Sequence, residues 1–200
     1  MFRQLLVFLC LTTSIYAEKP FFRASKEQPY HLSVGAVLFD QEGRIACHHF
    51  KEILGFKDIY ILMRESVEDN ESPLATLHRG LMEEFGATAR PIAFLGCLSG
   101  YLDDFRLPFE KTTLYIACQL DQWTPQNRDP NDPEADSIIE WLEPNELIRY
   151  MQEQGRRFNR VDVDESEMIK RALPYTEKAL RDKHEHSYRH NISNISAIFL

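Results

Sequence analysis

The sequence predicts an α/β (α+β) protein, an α/β/α sandwich in which a mixed β-sheet carries helices on its faces. Three observations predict it. Apolar, β-branched runs recur between turn signals, the stretch 31–40 (HLSVGAVLFD) foremost. Ser72-Pro73 has the form of a helix start and Gly86 that of a helix stop, with an apolar and acidic stretch between them. The order along the chain is strand, hairpin, strand, acidic loop, helix, two strands, long loop, strand and helix. At 200 residues there is room for one domain with extensions, and 44% hydrophobic with 27% charged residues is the composition of a chain that buries a core.

In order, residues 1–17 read as a signal peptide, with Arg3 in a short n-region, an apolar run from Leu5 to Leu11 and Ala17 at a cleavage position. The alternative is a hydrophobic N-terminal element docked on the domain of a cytoplasmic protein. A membrane span needs about 20 apolar residues, and Glu18 and Lys19 end this run too early. Secretion is therefore the expected localisation, and sequons at Asn191 and Asn194 fit it. Residues 18–30 form an N-terminal extension and 31–155 the domain.

Within the domain, QEG at 41–43 turns the first strand into RIACHHF, a hairpin. Residues 58–63 (DIYILM) suggest a strand, and 64–72 a polar, acidic loop. Two strands, PIAFLGCLSGYL and KTTLYIACQL, flank a loop LDDFRLPFE; the proline- and acid-rich stretch 121–136 is an exposed loop. IIEWL is a short strand, followed by a helix from Pro144 to Gly155. Residues 156–183 form a C-terminal helical segment in which Pro174 predicts a kink or split, and 184–200 a polar tail. With the leader cut at Ala17, Cys47, Cys97 and Cys118 remain of the four cysteines; they lie in strand-like runs and read as buried thiols, and their odd number gives no disulfide framework.

A net charge of -8 excludes a surface built for bulk nucleic-acid binding, while a small phosphorylated ligand remains compatible with it. The residues that carry chemistry lie between Leu62 and Ala87. This stretch resembles the Nudix box, whose pattern is glycine, five residues, glutamate, seven residues, then Arg-Glu-apolar-x-Glu-Glu-x-Gly-apolar. Glu71, Arg79, Leu81, Glu83, Glu84, Gly86 and Ala87 stand at matching positions. Glu65 replaces the first glycine, and Gly80 replaces the glutamate after the arginine; Asn70, where the family often has a second glycine, tolerates the left-handed conformation. The flanking hairpin and the closing strand and helix fit the same Nudix-like fold.

The resemblance implies a pyrophosphohydrolase that uses Mg2+ or Mn2+ on a nucleoside diphosphate linked to another group. Hard divalent cations select carboxylate oxygens. Positions 80, 83 and 84 share a helix face, so the resemblance gives Glu83 and Glu84 as metal ligands and catalytic residues, with a weakened site because position 80 has no carboxylate. Glu65 is a candidate replacement ligand, and Glu134 and Asp136 are candidate bases from the long loop. Glu71, Arg79 and Gly86 form the structural part of the box, and Arg79 should pair with Glu71. Phe56, Tyr60, Tyr101, Phe105, Arg106 and Phe109 are candidates to line a ligand pocket, although most of them read as packing residues. The expected partner is a small diphosphate-containing molecule. The alternative is an inactive domain that binds a phosphorylated ligand or a protein partner, and it suits a secreted interaction protein as well.

Overall fold

The computed structural model describes residues 29–53, 56–104, 107–159 and 163–176. The expected signal peptide, most of the N-terminal extension, residues 177–183 and the polar tail with its sequons lie outside them. The described chain forms seven strands: β1 (Tyr30–Phe39), β2 (Ile45–Ile53), β3 (Phe56–Ile61), β4 (Met63–Ser66), β5 (Ala87–Asp104), β6 (Leu107–Trp123) and β7 (Ile138–Leu142). Helices α1 (Pro73–Phe85) and α2 (Pro144–Phe158) are joined by a third, α3, over residues 166–176. The sheet order is β3-β2-β1-β6-β5, with β4 pairing β1 and β7 pairing β2. The β1–β6 ladder is parallel and the other pairings antiparallel, so the sheet is mixed.

Strand β1 is buried from Ser33 onward, as a central strand covered on both faces must be. Alternation sends Val34, Ala36 and Leu38 to a core with Leu77, Leu81 and Phe85 of α1. Val37 and Phe39 face the other way, onto Leu147 and Met151 of α2 and Met168, Ile169 and Ala172 of α3. The sandwich thus follows from β1's uninterrupted apolar run. Among the described residues no helix is long and apolar enough to cross a membrane.

Several local expectations change. The acidic loop starts later than its polarity suggests, because Met63–Ser66 pair with β1 residues Ser33–Ala36, placing Arg64 and Glu65 on a strand. The predicted loop between β5 and β6 is mostly ladder, paired out to Asp104 and Leu107. Helix α2 passes Gly155 and ends at Asn159 in the left-handed region, φ 52°. Gly155 serves close approach instead, since a Cβ there would lie 2.7 Å from the Asp164 Cβ. Pro174 falls in the last described turn of α3, which reaches Thr176. Cys47 and Cys118 are buried, whereas Cys97 is exposed because its position in β5 points away from both cores.

Helix α1 has both of its sequence-encoded ends. The Ser72 hydroxyl accepts the Ala75 N–H at 3.2 Å, Pro73 opens the first turn, and Gly86 closes the helix at φ 63°. A Cβ on Gly86 would meet the Thr124 carbonyl oxygen at 2.3 Å. Gly86→Ala combines that collision with a left-handed alanine and is expected to cost about 2–5 kcal/mol; urea unfolding at neutral pH measures it, and a loss under 1 kcal/mol would contradict the close approach.

Candidate functional site

The site grows from α1 and the turn before it. Asn70 adopts φ 63°, turning the chain so that Glu71 points back along the helix. Arg79, two turns on, donates Nε–H to Glu71 Oε1 and Nη2–H to Glu71 Oε2, both at 2.9 Å. The same guanidinium donates to the Ser66 carbonyl at 2.8 Å and to Glu83 Oε2 at 3.1 Å, and lies 3.3 Å from Glu65 Oε2. Glu71 also accepts the Thr76 hydroxyl at 2.8 Å and the Glu68 N–H at 3.1 Å. These bonds to the charged form, Arg79's first, pull the Glu71 pKa down to about 2.

Position 80 is buried, and it is occupied in space although it has no side chain. A Cβ on Gly80 would fall 2.5 Å from the Glu65 Cβ, 3.1 Å from its Cγ and 2.9 Å from Met63 Sδ. Glu65 therefore lies across the glycine from the neighbouring strand, with Glu83 one helical turn further on. Burial pushes the Glu65 pKa up, and the charge of Arg79 opposes that shift.

The long loop is exposed over most of its length, as its composition predicts, but it does not hang free. After a short 3-10 turn (Pro125–Asn127) it is tied to the end of α1. The Asp129 N–H donates to the Glu83 carbonyl at 2.9 Å, and Arg128 donates Nε–H to the Glu84 carbonyl at 2.5 Å. Arg128 also bonds the carbonyls of Ser137 and Glu134, at 3.1 and 3.0 Å. The terminal carbonyls of the helix are thus satisfied by the loop. Asp132 consequently comes beside the helix, and oxygens of Glu65, Glu83 and Asp132 lie within 4.8 Å of one another. A divalent cation with oxygen ligands at about 2.0–2.6 Å spans such a set. Glu134, half-buried next to Asp132, has its pKa raised to about 7, first by burial and then by Asp132. Asp136 is exposed.

Glu84 is enclosed. Its Oε2 lies 2.7 Å from His48 Nε2, His48 Nδ1 lies 2.7 Å from Ser137 Oγ, and both side chains are 1% exposed. Burial drives the Glu84 pKa well up and the His48 pKa down to about 3. Glu84 Oε1 has no hydrogen-bond partner, an unmet acceptor in an acidic surrounding of Glu134, Glu65 and Asp132.

Sequence reasoning missed His48, Arg128 and Asp132. The acids of 129–136 signalled Asp132, whereas His48 lies in an ordinary strand pattern 36 residues from its partner Glu84. Of the pocket candidates, Phe56 packs edge-on against Phe158 and Tyr60 stacks on Tyr150, both on α2. Phe105 and Arg106, and the side chains of Tyr101 and Phe109, lie outside the described part of the structure.

The architecture is an α/β/α sandwich in which β4, the first helix and the long loop each present one carboxylate of a set suited to a hard divalent cation. The chain belongs to the NUDIX domain family, which matches residues 29–161. Among solved structures it is similar to a NUDIX hydrolase from Nitrosomonas europaea, at 16% identity and TM-score 0.48 over 60% of this chain and 77% of that one. It is also similar to the ORF135 protein of E. coli, at 17% identity and TM-score 0.43 over 64% of this chain and 84% of that one. No curated protein matches the sequence. Family membership supports pyrophosphohydrolase chemistry and diphosphate-containing ligands in general.

Two outcomes are expected. In an isolated helix Gly→Ala gains about 1 kcal/mol, but Gly80→Ala should destabilise this protein by about 1–3 kcal/mol through overpacking. Glu65→Gly in the same chain should turn that loss into a gain; additive effects in chemical denaturation would refute the steric coupling. Glu71 stabilises the fold above its unfolded pKa of 4.5, and that contribution disappears as pH falls towards its folded value of about 2. Acid titration of Glu71→Gln should accordingly show a shallower loss of stability between those pH values than the parent, and identical slopes would contradict the assignment.

Proposed function

We propose that the protein is a divalent-metal-dependent pyrophosphohydrolase acting on a nucleoside diphosphate linked to another group, with Glu65 supplying the carboxylate that position 80 lacks. The observation that supports this most directly is the overlap of Glu65 Cβ and Cγ with the space of a side chain at Gly80. A glutamate from the strand thereby stands where a glutamate from the helix would otherwise stand.

The donor set suits Mg2+ or Mn2+, with Glu65, Glu83 and Asp132 offering hard oxygens. A cation held there would screen the diphosphate oxygens and lower the pKa of a bound water. The protein's own residues do the rest. Arg79 holds Glu65 Oε2 and Glu83 Oε2 together, while Glu65 Oε1 accepts the Ser66 N–H at 2.6 Å and keeps a second lone pair for a ligand. His48 holds one oxygen of Glu84 and leaves Oε1 as a proton acceptor for an attacking water. Ser137, as donor or acceptor, satisfies His48 in either tautomer. Glu134 is the second carboxylate that can take a proton, its pKa kept up by burial and then by Asp132.

Purified protein incubated with nucleoside-diphosphate-linked compounds and Mg2+ or Mn2+ should show turnover that falls at least about 100-fold in Glu84→Gln. Mn2+ titration followed by EPR should show affinity at least about tenfold weaker in Glu65→Ala. Equal affinities would remove Glu65 from the site. Metal binding without turnover across the panel would favour the alternative, a domain that binds a phosphorylated ligand or a protein.

A further inference from the structure

Between Ile61 and Met63 the chain changes partners. Ile61 ends β3 opposite His48 of β2, Met63 begins β4 opposite Ala36 of β1, and Leu62 between them belongs to neither ladder. A buried backbone N–H outside a ladder must be met by something else. Leu62 is fully buried, and Glu165 Oε2 accepts its N–H at 2.8 Å.

Glu165 stands just before α3, outside the family-matched residues 29–161, and its own carbonyl accepts the Met168 N–H at 3.0 Å to open that helix. Two contacts with α2 hold this part of the chain. Gln154 donates Nε2–H to the carbonyls of Tyr60 and Val163, at 2.7 and 2.5 Å, so the end of β3 and the approach to α3 meet on one side chain. Gly155 makes room for Asp164. Glu165 Oε1 accepts the Tyr115 hydroxyl and lies 3.7 Å from Arg64 Nε. Arg64, Gly35 and Tyr115 stand opposite one another across β4, β1 and β6, so one carboxylate bridges the outer members of a three-strand row. Gly35 leaves the Tyr115 ring its path, since a Cβ there would lie 2.7 Å from it. Burial pushes the Glu165 pKa up, and the charge of Arg64, then the Tyr115 and Leu62 bonds, oppose that shift.

Register decides where a strand's side chains point. Met63 and Glu65 lie against Gly80 of α1, and by alternation Leu62 and Arg64 face the side of α2 and α3. A slip of one residue would turn Glu65 away from Gly80, and a slip of two would carry it about 7 Å along the strand. Either would dissolve the cluster. We propose that Glu165 is a positioning residue for the carboxylate cluster: its bonds to Leu62 and to the Arg64–Tyr115 row fix β4 in register on β1, and so hold Glu65 over Gly80 beside Glu83 and Asp132. The proposal rests on the reading of that cluster as a metal site. Glu165 acts from the opposite face of the sheet, through a single strand, and α3 thereby becomes part of the site's support.

Register and metal affinity are measured separately on the full chain. In metal-free protein the wild-type Leu62 amide should exchange slowly with solvent although it lies outside the ladders, and at least about tenfold faster in Glu165→Leu. Cross-strand NMR contacts between Gly35 and Arg64 should weaken in the same variant. In Mn2+ titrations followed by EPR, Glu165→Leu should weaken binding at least about tenfold, and Glu165→Gln, which keeps an acceptor for Leu62, should recover most of the affinity. Met168→Ala removes core packing from α3 and leaves Glu165 in place, so it should lower stability in urea with Mn2+ affinity unchanged. Rapid exchange of Leu62 in the wild type would overturn the proposal even where no variant folds. Unchanged affinity in Glu165→Leu, no recovery in Glu165→Gln, or an equal loss in Met168→Ala would each overturn it as well. A wild type that binds no Mn2+ defeats the metal reading of the cluster, and the register role of Glu165 then stands or falls on the exchange and cross-strand results alone.

Discussion

The site depends on one guanidinium. Arg79 touches Glu65 from a strand, Glu71 from a turn and Glu83 from its own helix, and caps the Ser66 carbonyl as well. Three carboxylates drawn so close would repel one another in the absence of a cation, and the fixed positive charge lets the fold form with them assembled. A planar fork with five donors suits this; a lysine ammonium could not keep two parallel bonds to Glu71 while reaching the others. The partners are only partly shielded from water, with Arg79 itself 23% exposed. Its role is therefore better described as placement than as a large net stabilisation.

A second arginine does for the loop what Arg79 does for the strand and turn. Arg128 donates to three backbone carbonyls, of Glu84, Glu134 and Ser137, turning a proline-rich segment into a fixed wall against the helix end. That wall closes over Glu84 and His48, and it delivers Asp132 to the carboxylate cluster. Burial of Glu84 and clustering of Glu65, Glu83 and Asp132 are thus two results of one tether. Charge organisation and backbone capping, treated separately in most helices, are served here by the same contacts.

How much of this the sequence disclosed depends on how local each feature is. Helix α1 was legible to the residue, because Ser72, Pro73 and Gly86 act within a turn of themselves. The sheet was legible through β1, whose apolar run can exist only between two covered faces. Gly155 misled, since a glycine that makes room for Asp164 and a glycine that ends a helix look alike in one dimension. Arg64 and Glu65 looked like loop residues because nothing in their own composition reports that β1 lies alongside to pair with them. His48 was invisible for a similar reason. Its partner Glu84 comes from another element, and a histidine in a strand has no local signature of the carboxylate it will meet.

The contact between Glu65 and Gly80 makes the two positions a single unit of inheritance. In the Nudix pattern position 65 is glycine and position 80 glutamate, and this chain has the reverse. Passing between those arrangements one substitution at a time requires an intermediate with either two side chains competing for one volume or none there at all. The first strains the packing and the second empties the site of a charge. An exchange of this kind is most readily crossed where the protein has stability to spare or where activity is briefly unneeded, and once crossed it resists reversal. A count of conserved letters scores such a chain as degraded, because it tallies positions separately, whereas the volume shared by residues 65 and 80 still holds one carboxylate side chain.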